Sequence, residues 1–382
     1  MVMNKRKVLF LIESLAGGGA EKVLTTLVQH IDKERFDVTV CAISGGGKYE
    51  EVVKEQVVYR AILNDLAGRS GFQNLIYKLK HHLVYRWLPL SWVYRLFVPQ
   101  GNDVEVAFVE GFATKLLSHS TNRKALKYAW VHIDLHQNHW TRRVYRDLKE
   151  ESEAYARYVH IVGVSDTVVA AFHLEFPQVD VLATTIYNPI YSDAILTSSQ
   201  EPIALKRPES ILLVTVGRLE PQKAYMRLLK IVKRLTDERV DVNLWILGDG
   251  SEREMLENYI EEHCLQEHVS LLGFHANPYK YLRMGDLFVC SSLSEGYSTA
   301  VTEALILGLP VITTDCSGMA ELLKDGECGV ITENDETALY EGMKRLLMNE
   351  TQLEHYRQKA IERGRNFTIK SLMKPIEALL AE

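Results

Sequence analysis

Two cations stand on one short stretch of the second half of the chain. The apolar run Ile211–Val216 is followed by Gly217-Arg218-Leu219-Glu220-Pro221-Gln222-Lys223, which places Arg218 and Lys223 just past a predicted strand. Arginine offers a planar fork of N–H donors and lysine a compact charge, and both are common partners of phosphate. The spacing therefore favours a diphosphate-binding loop. The alternative is a solvated loop with two ordinary cations.

Two carboxylates follow further along the chain. Glu295 and Glu303 flank a predicted turn into a helix that runs to Leu307. Carboxylates accept hydrogen bonds from sugar or ribose hydroxyls, and backbone N–H groups at a helix start, here at Ser298 and Thr299, can hold phosphate. Two glutamates at this spacing are common by chance. Their position after a strand and near a basic loop makes the interpretation as a site more specific.

A third candidate is the glycine turn near the start. Ala16-Gly17-Gly18-Gly19-Ala20-Glu21 follows a predicted strand and opens a predicted helix. Backbone N–H groups at Gly18 and Gly19 can approach an anion there. The spacing is neither that of a dinucleotide-binding fingerprint nor that of a P-loop. A tight strand-to-helix turn needs glycine in any case, so phosphate contact and a plain turn stay open.

The elements that must position these residues alternate in kind. Val8–Ile12 is a continuous apolar run, as expected of a parallel strand covered on both faces, and helical spacing then leads to a second strand at 38–43. A fresh series of strands and helices begins at Ile211. We predict an α/β protein of two doubly wound, Rossmann-like domains: residues 1–191, a linker over 192–210, and residues 211–368. Such folds bind ligands at the carboxyl ends of their strands, and we expect a cleft between the domains.

Composition narrows the class. The 382 residues carry 44 Lys+Arg against 50 Asp+Glu, a net charge of −6, and 47% hydrophobic residues. These values are typical of a globular protein and disfavour disordered chains and nucleic-acid binders. Five cysteines without a CxxC pair favour reduced thiols in the cytoplasm. No signal peptide or membrane-spanning run is evident, so any action at a membrane is expected from its surface.

One segment departs from the average composition. Between Asp65 and Asp103 there is no acidic residue, while residues 69–98 contain Lys, Arg, Trp and Tyr side chains in alternation. Basic and aromatic residues together are typical of a surface that contacts anionic lipid headgroups. The alternative is a helical pair that packs on its own domain and has solvated cations. A nucleic-acid partner is disfavoured, because the patch is short and the chain is acidic.

Motifs along the whole chain resemble those of retaining GT-B glycosyltransferases of family 4 (glycosyl transferases group 1). The resemblance rests on the glycine turn, the Arg218–Lys223 loop and the Glu295–Glu303 pair. It also rests on the motifs Val164-Ser165, Asn188-Pro189-Ile190, Leu247-Gly248-Asp249-Gly250, Leu271-Leu272-Gly273-Phe274 and Gly308-Leu309-Pro310-Val311-Ile312.

This resemblance implies roles for individual residues. Glu303 is expected to bind ribose hydroxyls and Glu295 the donor sugar. Arg218 and Lys223 are expected to bind the diphosphate, with help from backbone at Gly18, Gly19, Ser298 and Thr299. The stretch from Phe274 is expected to hold the base, and His132 to lie near the anomeric centre, although it could instead be a structural histidine. A last helix at 369–382 is expected to pack back on the first domain.

The implied mechanism needs no metal and no cofactor, because the cations and helix N-termini stabilise the departing diphosphate. We find no clear covalent nucleophile, so retention would proceed by same-face attack with the leaving phosphate as base. Two departures from the family pattern stand out. Ala224 follows Lys223 where relatives usually have glycine, and Gly296-Tyr297 stands where many have Phe-Gly or Phe-Pro.

The sequence thus predicts a hexosyltransferase that uses a nucleotide-diphosphate sugar, with a UDP-sugar as the expected donor, and a lipid-linked or polysaccharide acceptor in cell-surface glycan synthesis. We expect it in the cytoplasm, peripheral on the inner face of the membrane. Two alternatives stay open: a soluble enzyme that glycosylates protein or a small molecule, and an inactive sugar-nucleotide-binding subunit. The intact Arg218, Lys223, Glu295 and Glu303 argue against the second.

Overall fold

A computed structural model describes residues 5–63 and 71–382. The chain forms two compact units, each with its own parallel sheet. The first unit comprises Met1–Pro189 together with Ile369–Glu382, and the second comprises Ile190–Thr368. The α/β class predicted from the sequence is confirmed.

The first sheet is built from seven strands of the described chain. They are β1 (Arg6–Ile12), β2 (Phe36–Ser44), β3 (Val58–Leu63), β4 (Val104–Ala107), β5 (Leu126–Val131), β6 (His160–Gly163) and β7 (Ala183–Thr185). Their order is β3-β2-β1-β4-β5-β6-β7, and every neighbouring pair is parallel. The strand β1 is central, and its residues Val8 to Leu11 are fully buried, as the unbroken apolar run predicts.

Helices cover this sheet. They are α1 (Gly19–His30), α2 (Glu50–Gln56), α3 (Gly71–His82), α4 (Leu90–Phe97), α5 (Phe112–Leu117), α6 (Leu148–Tyr155) and α7 (Asp166–Glu175). A π-helical turn at Leu83–Trp87 joins α3 to α4, and a 3₁₀ turn lies at Trp140–Arg143. We call the segment from α3 through α4 the hairpin. The predicted basic aromatic segment, 69–98, begins two residues earlier, and its residues 69 and 70 lie outside the described part of the chain.

The second sheet has six strands. They are β8 (Ile211–Val216), β9 (Val242–Leu247), β10 (Val269–Gly273), β11 (Leu287–Cys290), β12 (Val311–Thr314) and β13 (Val330–Thr332), in the order β10-β9-β8-β11-β12-β13. All pairs are again parallel. Buried Leu213, Leu244 and Ile312 from this sheet share one core with Leu228 and Val232 of the helix that follows β8.

The helices of the second part of the chain are α8 (Ser192–Ser199), α9 (Tyr225–Asp237), α10 (Arg253–Glu262), α11 (Tyr279–Leu282), α12 (Thr299–Ile306), α13 (Met319–Leu323), α14 (Glu336–Leu347), α15 (Glu350–Gly364) and α16 (Ile369–Ala381). None of the described helices has the length and apolar character that a bilayer span requires. A short 3₁₀ turn, Pro221–Lys223, precedes α9.

The segment predicted as a linker, 192–210, is partly ordered as helix. Residues Ser192–Ser199 form α8, which groups with the second unit and buries Ile195. Asn277 donates from its side-chain amide to the carbonyl of Ser198 at 2.8 Å, which fixes the end of this helix. Polar residues and prolines predicted a linker here, whereas contacts with α11 and α12 order the first half of the segment.

The last helix, α16, belongs to the first unit. The carboxylate of Glu377 accepts from the backbone N–H of Asp32 at 2.9 Å and lies 3.3 Å from the guanidinium of Arg35. Its residues Ile376 and Leu380 are buried. The chain therefore returns to the unit in which it began.

Both sheets reverse their strand order at one point. In the first sheet β1 lies between β2 and β4, and in the second β8 lies between β9 and β11. We call each such place a switch point. Open parallel sheets bind ligands in the crevice at the carboxyl ends of the strands that flank it. The residues after β1, β4, β8 and β11 are therefore the candidates for ligand binding.

Candidate functional site

Lys223 occupies the switch point of the second sheet. It ends the 3₁₀ turn after β8, and Ala224 behind it adopts φ 50°, a left-handed conformation. In this conformation the Cβ of alanine crowds the following carbonyl oxygen and raises the conformational energy, whereas glycine has no Cβ. The turn therefore favours glycine at this position, and Ala224 adopts the left-handed backbone at some cost in stability.

The ammonium of Lys223 is held by Glu295. Its Nζ donates to Oε1 of Glu295 at 2.6 Å, and the hydroxyl of Ser292 donates to the same oxygen at 2.6 Å. Both side chains are largely buried, with 21% of Lys223 and 10% of Glu295 exposed. Burial alone would lower the pKa of Lys223, but the charge of Glu295 outweighs it and raises this pKa. Lys223 therefore stays cationic.

Hydrogen bonds join the loop after β8 to the loop after β11. The hydroxyl of Ser291 donates to the carbonyl of Lys223 at 2.8 Å, and the side chain of Gln222 donates to the carbonyl of Ser294 at 2.7 Å. The N–H of Leu293 donates to the carbonyl of Gln222 at 2.8 Å. These bonds fix Lys223 and Glu295 before any ligand arrives, which is the preorganisation that binding sites need.

Arg218 is the other predicted phosphate ligand of this loop. Its side chain is exposed, and no carboxylate in the described part of the chain pairs with it. The two predicted cations therefore differ in state: one is locked in an ion pair and the other is available to an incoming anion.

The predicted ribose-binding carboxylate lies on α12. Glu303 is 3% exposed, and the phenol of Tyr279 donates to its Oε1 at 3.4 Å. Ser298 caps the same helix, and its hydroxyl accepts from the N–H of Val301 at 3.4 Å, while Thr299 is the first helical residue. Phe274, after β10, is 44% exposed. All these residues lie within the second unit.

A buried polar atom in this region has no hydrogen-bond partner. The hydroxyl of Ser294, next to Glu295, is inaccessible to solvent and unpaired within the described residues. Nearby, Lys223, Cys290, Ser292 and Ser298 are among the residues that line a small cavity. Because buried hydroxyls are normally paired, this orphan is typical of a place where a ligand supplies the missing partner.

In the first unit, His132 follows β5. Its imidazole lies against the ring of Phe108 at 5.1 Å between centroids and hydrogen-bonds the backbone of that residue. Burial lowers the pKa of His132 to about 4, so the ring is neutral at pH 7. Its Nε2 is buried and has no partner among the described residues. With the other nitrogen donating to the carbonyl of Phe108, Nε2 is left as an acceptor.

Glu110, which follows β4, was not identified from the sequence. Its Oε2 accepts from the N–H of His132 at 3.0 Å and its Oε1 from the indole of Trp140 at 3.3 Å. Burial raises its pKa. Both oxygens serve as acceptors for the loop after β5, and Glu110 therefore fixes the backbone that carries His132.

Glu13, which follows β1, was also missed. The phenol of Tyr85, in the π-helical turn, donates to its Oε1 at 2.9 Å. Burial raises the pKa of Glu13, although the bond from Tyr85 opposes this. The only available signal was the position of Glu13 directly after a buried strand, which many structural residues share. Its connection to Tyr85 spans 72 residues and has no local pattern.

In the glycine turn after β1, a carboxylate lies close to the backbone. Gly18 caps α1 and Gly19 begins it, but the carboxylate of Glu21 folds back over Gly18. A Cβ on Gly18 would stand only 2.3 Å from Oε2 of Glu21. The positive end of the α1 dipole is thus already close to an anion, and a phosphate would have to displace this carboxylate.

No group of three or more His, Cys, Asp or Glu side chains in the described regions is arranged to hold a metal ion. The metal-independent mechanism, like the absence of a cofactor, stays a prediction.

Sequence comparison identifies the second unit. Residues 198–367 match the family described as glycosyl transferases group 1. Over 184 residues the chain is 36% identical to an N-acetylgalactosamine-N,N'-diacetylbacillosaminyl-diphospho-undecaprenol 4-alpha-N-acetylgalactosaminyltransferase from Campylobacter jejuni. This match covers 48% of the chain and 49% of the relative. The chain therefore spans about half the length of that relative.

Structural comparison extends to both units. Anabaena HepE in complex with UDP-glucose superimposes with a TM-score of 0.75 at 19% identity, covering 98% of this chain and 99% of the other. Staphylococcus aureus TarM gives a TM-score of 0.71 at 14% identity, with 100% and 99% covered. At such identities the likeness establishes the fold.

Two parallel sheets covered by helices, together with these structural neighbours, define the GT-B fold. Residues 198–367 match the glycosyl transferases group 1 family, as the motifs in this part of the chain predict.

Proposed function

We propose that the protein is a retaining glycosyltransferase that moves a hexose from a nucleotide-diphosphate sugar to a lipid-linked or polysaccharide acceptor. The observation that carries this proposal is the preorganised Lys223–Glu295–Ser292 network at the switch point of a group 1 domain. The unpaired Arg218 stands on the same loop.

The chemistry of the proposed site follows from its charges. As the bond between the anomeric carbon and the β-phosphate oxygen breaks, negative charge grows on the diphosphate. The cations Lys223 and Arg218 and the N-terminus of α12 stabilise that charge without a metal. Glu295 orients Lys223 through the 2.6 Å bond and keeps its second oxygen for a donor-sugar hydroxyl. Glu303 accepts from the ribose.

Retention is part of the same proposal. The acceptor hydroxyl attacks the face from which the diphosphate leaves, a new bond forms between its oxygen and the anomeric carbon, and its proton passes to the leaving phosphate. His132, neutral and with Nε2 as acceptor, contacts the donor sugar in this proposal.

The donor and acceptor classes are supported by relatives. The Campylobacter relative is named for a diphospho-undecaprenol acceptor, and Anabaena HepE was solved with UDP-glucose. We therefore propose a UDP-sugar donor and an undecaprenyl-diphosphate-linked glycan acceptor. Hydrolysis of a panel of UDP-, GDP- and ADP-sugars, followed by product mass spectrometry with a short-chain polyprenyl-diphosphate N-acetylhexosamine, tests both classes. Absence of turnover of every donor would overturn the proposal in favour of a binding subunit.

Contact with an anionic membrane surface through residues 69–98 belongs to this proposal. Large apolar side chains of the hairpin are exposed to water, with fractions of 63% for Leu75, 61% for Trp87, 62% for Trp92 and 60% for Leu96. Along α4, Trp92, Arg95 and Leu96 share one face because of their helical spacing. Apolar and basic side chains on one face suit the boundary between acyl chains and anionic headgroups.

Vesicle flotation tests this contact. We expect the protein to float with phosphatidylglycerol vesicles at low salt and much less with phosphatidylcholine vesicles. The double variant Trp92→Ser/Leu96→Ser should lower the bound fraction several-fold. Leu174→Ser/Leu182→Ser is the matched control, because these leucines of the same unit are 67% and 64% exposed but lie outside the hairpin. Equal flotation of both variants would rule out the hairpin as the contact.

The proposal also places the protein in the cytoplasm, on the inner face of the cell membrane. All five cysteines are unpaired, as expected in a reducing compartment. Fractionation of cells that express the full chain, with and without a high-salt wash, tests the location.

A further inference from the structure

We propose that Glu13 binds the acceptor hydroxyl in the first unit and that Tyr85 orients it for this task. This inference rests on the proposed function, since it names the group that meets the acceptor in the proposed transfer. Neither residue was among the site residues predicted from the sequence.

The position of Glu13 comes from the sheet topology. It directly follows β1, whose neighbours in the sheet are β2 and β4. The strand order reverses between β1 and β4, which makes the carboxyl end of β1 one wall of the crevice where open parallel sheets bind ligands. The N–H of Phe108, just past β4, donates to the carbonyl of Leu11 at 2.8 Å, so pairing continues to this edge.

Two carboxyl groups flank this switch point, and their hydrogen bonds separate their roles. Glu110, after β4, spends both oxygens on N–H donors of the protein, those of His132 and Trp140. Glu13 has one oxygen bonded to Tyr85, while Oε2 makes no hydrogen bond within the described residues. Only Glu13 thus keeps an acceptor for a substrate hydroxyl, and Glu110 has a structural role in holding the next loop.

A second polar atom at this edge also lacks a partner. Nε2 of His132 is buried and unpaired within the described part of the chain, and its ring packs against Phe108. Because buried polar atoms are nearly always satisfied, this unpaired nitrogen independently indicates that a polar ligand completes the edge. Sugars supply such O–H donors: in the proposed transfer the donor sugar meets His132, and the acceptor hydroxyl meets Glu13.

Tyr85 is placed to set the direction of the Glu13 carboxyl. Its ring packs against Phe112 at 4.4 Å and against His81 at 4.6 Å between centroids, which limits its movement. Burial and the nearby charge of Glu13 raise the pKa of Tyr85, so the phenol stays protonated and donates. Tyr85 acts through Glu13 and is a positioning residue.

The hairpin contains a second bond of the same kind that serves as an internal reference. The phenol of Tyr94 on α4 donates to Glu105 on β4. Glu105 is fully buried and also accepts from Ser120 at 2.6 Å and from Asn122 at 3.2 Å. Glu105 is thus saturated by protein donors inside the core, whereas Glu13 is not.

The step assigned to Glu13 moves no proton to the protein. The acceptor O–H donates a hydrogen bond to Oε2 of Glu13 and is thereby aimed at the anomeric carbon. When the new carbon–oxygen bond forms, the hydroxyl proton passes to the leaving phosphate. Glu13 contributes orientation, which enters the rate through the geometry of attack.

The test compares transfer with hydrolysis in the same reaction mixture. Wild type, Glu13→Gln, Tyr85→Phe and the control Tyr94→Phe are incubated with the donor found in the panel and a farnesyl-diphosphate N-acetylglucosamine probe, and glycosylated probe and free sugar are both counted. We expect the ratio of transfer to hydrolysis to fall at least about tenfold in Glu13→Gln, as for loss of a positioned hydrogen bond to a charged group. It should fall several-fold in Tyr85→Phe and stay as in wild type in Tyr94→Phe.

The outcomes separate this inference from the proposed function. A Glu13→Gln ratio equal to that of wild type overturns the inference and leaves the glycosyltransferase intact. An equal fall in Tyr85→Phe and Tyr94→Phe shows that the tyrosines act only by holding the hairpin, which contradicts the positioning role. Wild-type protein that hydrolyses the donor but neither binds nor glycosylates the probe overturns the acceptor assignment, and no donor turnover at all overturns the proposed function itself. Thermal unfolding of each variant identifies any that fail to fold.

Discussion

The two switch points of this protein lie at equivalent places in two similar sheets, yet they carry opposite chemistry. After β8 and β11 stand the ammonium of Lys223, the exposed guanidinium of Arg218 and one carboxylate that holds the lysine. After β1 and β4 stand two carboxyl groups, Glu13 and Glu110. The topology provides a crevice in both sheets, but the side chains decide which ligand suits it.

The two switch points also differ in the hydrogen-bond partners of their carboxyl groups. Glu295 is neutralised by a cation 2.6 Å away, and the pair suits an incoming diphosphate. Glu13 is bonded by a neutral phenol, and Glu110 by two N–H groups. Carboxyl groups that are bonded by neutral donors disfavour phosphate and favour neutral hydroxyls. The two sheets share one fold, and the charges at their switch points fit the proposed division into a diphosphate-binding unit and a hydroxyl-binding unit.

The largest effect on activity is expected from removal of the Lys223 ammonium at the second switch point. Lys223→Ala deletes the charge expected to stabilise the leaving diphosphate and leaves Glu295 without its partner. We expect donor turnover to fall about 10²–10³-fold, the usual loss when one preorganised electrostatic contact is removed. The measurement is kcat/KM for donor hydrolysis.

Lys344→Ala is the matched control for this variant. Its ammonium lies 2.7 Å from Glu238 in an ion pair of the same unit, but on the helix α14, away from the switch point. Turnover within about twofold of wild type is expected, as for a surface pair of small energetic value. Similar losses in both lysine variants would show that stability, not charge at the switch point, is responsible.

The neutral state of His132 in the first unit has a signature in pH dependence. Its pKa of about 4 lies below the ordinary histidine value of 6.5 because the ring is buried. The unfolded chain therefore binds more protons than the folded one between these pH values, and stability falls as pH drops through this window. Between pH 7 and pH 4.5 we expect a loss of about 2 kcal/mol in the free energy of unfolding, from 1.36 kcal/mol per pKa unit.

Chemical denaturation between pH 7 and pH 4.5 measures this effect. His132→Asn, which cannot titrate there, should show a flatter profile than wild type. Identical profiles for the two proteins would mean that His132 is accessible to solvent and has an ordinary pKa, which would contradict its neutral, buried state.

A smaller effect is expected from crowding the lysine without removing it. A Cβ at Gly217 would stand 2.8 Å from the hydroxyl of Tyr225 and 3.3 Å from Cε of Lys223. Tyr225 is buried and Lys223 is held by Glu295, so Gly217→Ala should displace Lys223 and lower the stability modestly. We expect about a tenfold loss in kcat/KM, in line with misplacement of a catalytic contact. A large fall in melting temperature with unchanged kinetics would contradict this reading.

The smallest effect concerns the backbone behind Lys223. Ala224 has φ 50°, where glycine is favoured. Ala224→Gly relieves the steric cost of Cβ but adds freedom to the unfolded chain, and the net gain should be about 0.5–1 kcal/mol. Urea denaturation measures it. Unchanged donor turnover in this variant would show that alanine already holds the Lys223 turn in its working form.

Much of the fold was predictable because it depends on local patterns. The buried run Val8–Ile12 and its counterpart at Ile211–Val216 indicated parallel strands, and both are central strands of their sheets. The segment 192–210 was predicted as a linker from its composition. Its first half forms the helix α8, and contacts with α11 stabilise this helix. Composition carries no information about such contacts.

The candidate site was likewise predictable only in part. Arg218, Lys223, Glu295 and Glu303 follow strands or begin a helix within recognisable motifs, and the sequence alone marked them as candidates. The structure supplied what spacing could not: the ion pair between Lys223 and Glu295, across 72 residues, and the open guanidinium of Arg218.

By itself, the sequence determined the α/β class, the two sheets and the cations of the second switch point, because periodicity and glycine turns act over short stretches of chain. Only the tertiary structure decided that Glu13 meets Tyr85, that Glu110 holds the loop of His132, and that Glu21 covers Gly18. The first two contacts join residues far apart in sequence, and the third depends on a side-chain conformation. Such contacts, and the burial that shifts the pKa of His132, exist only once the chain has packed.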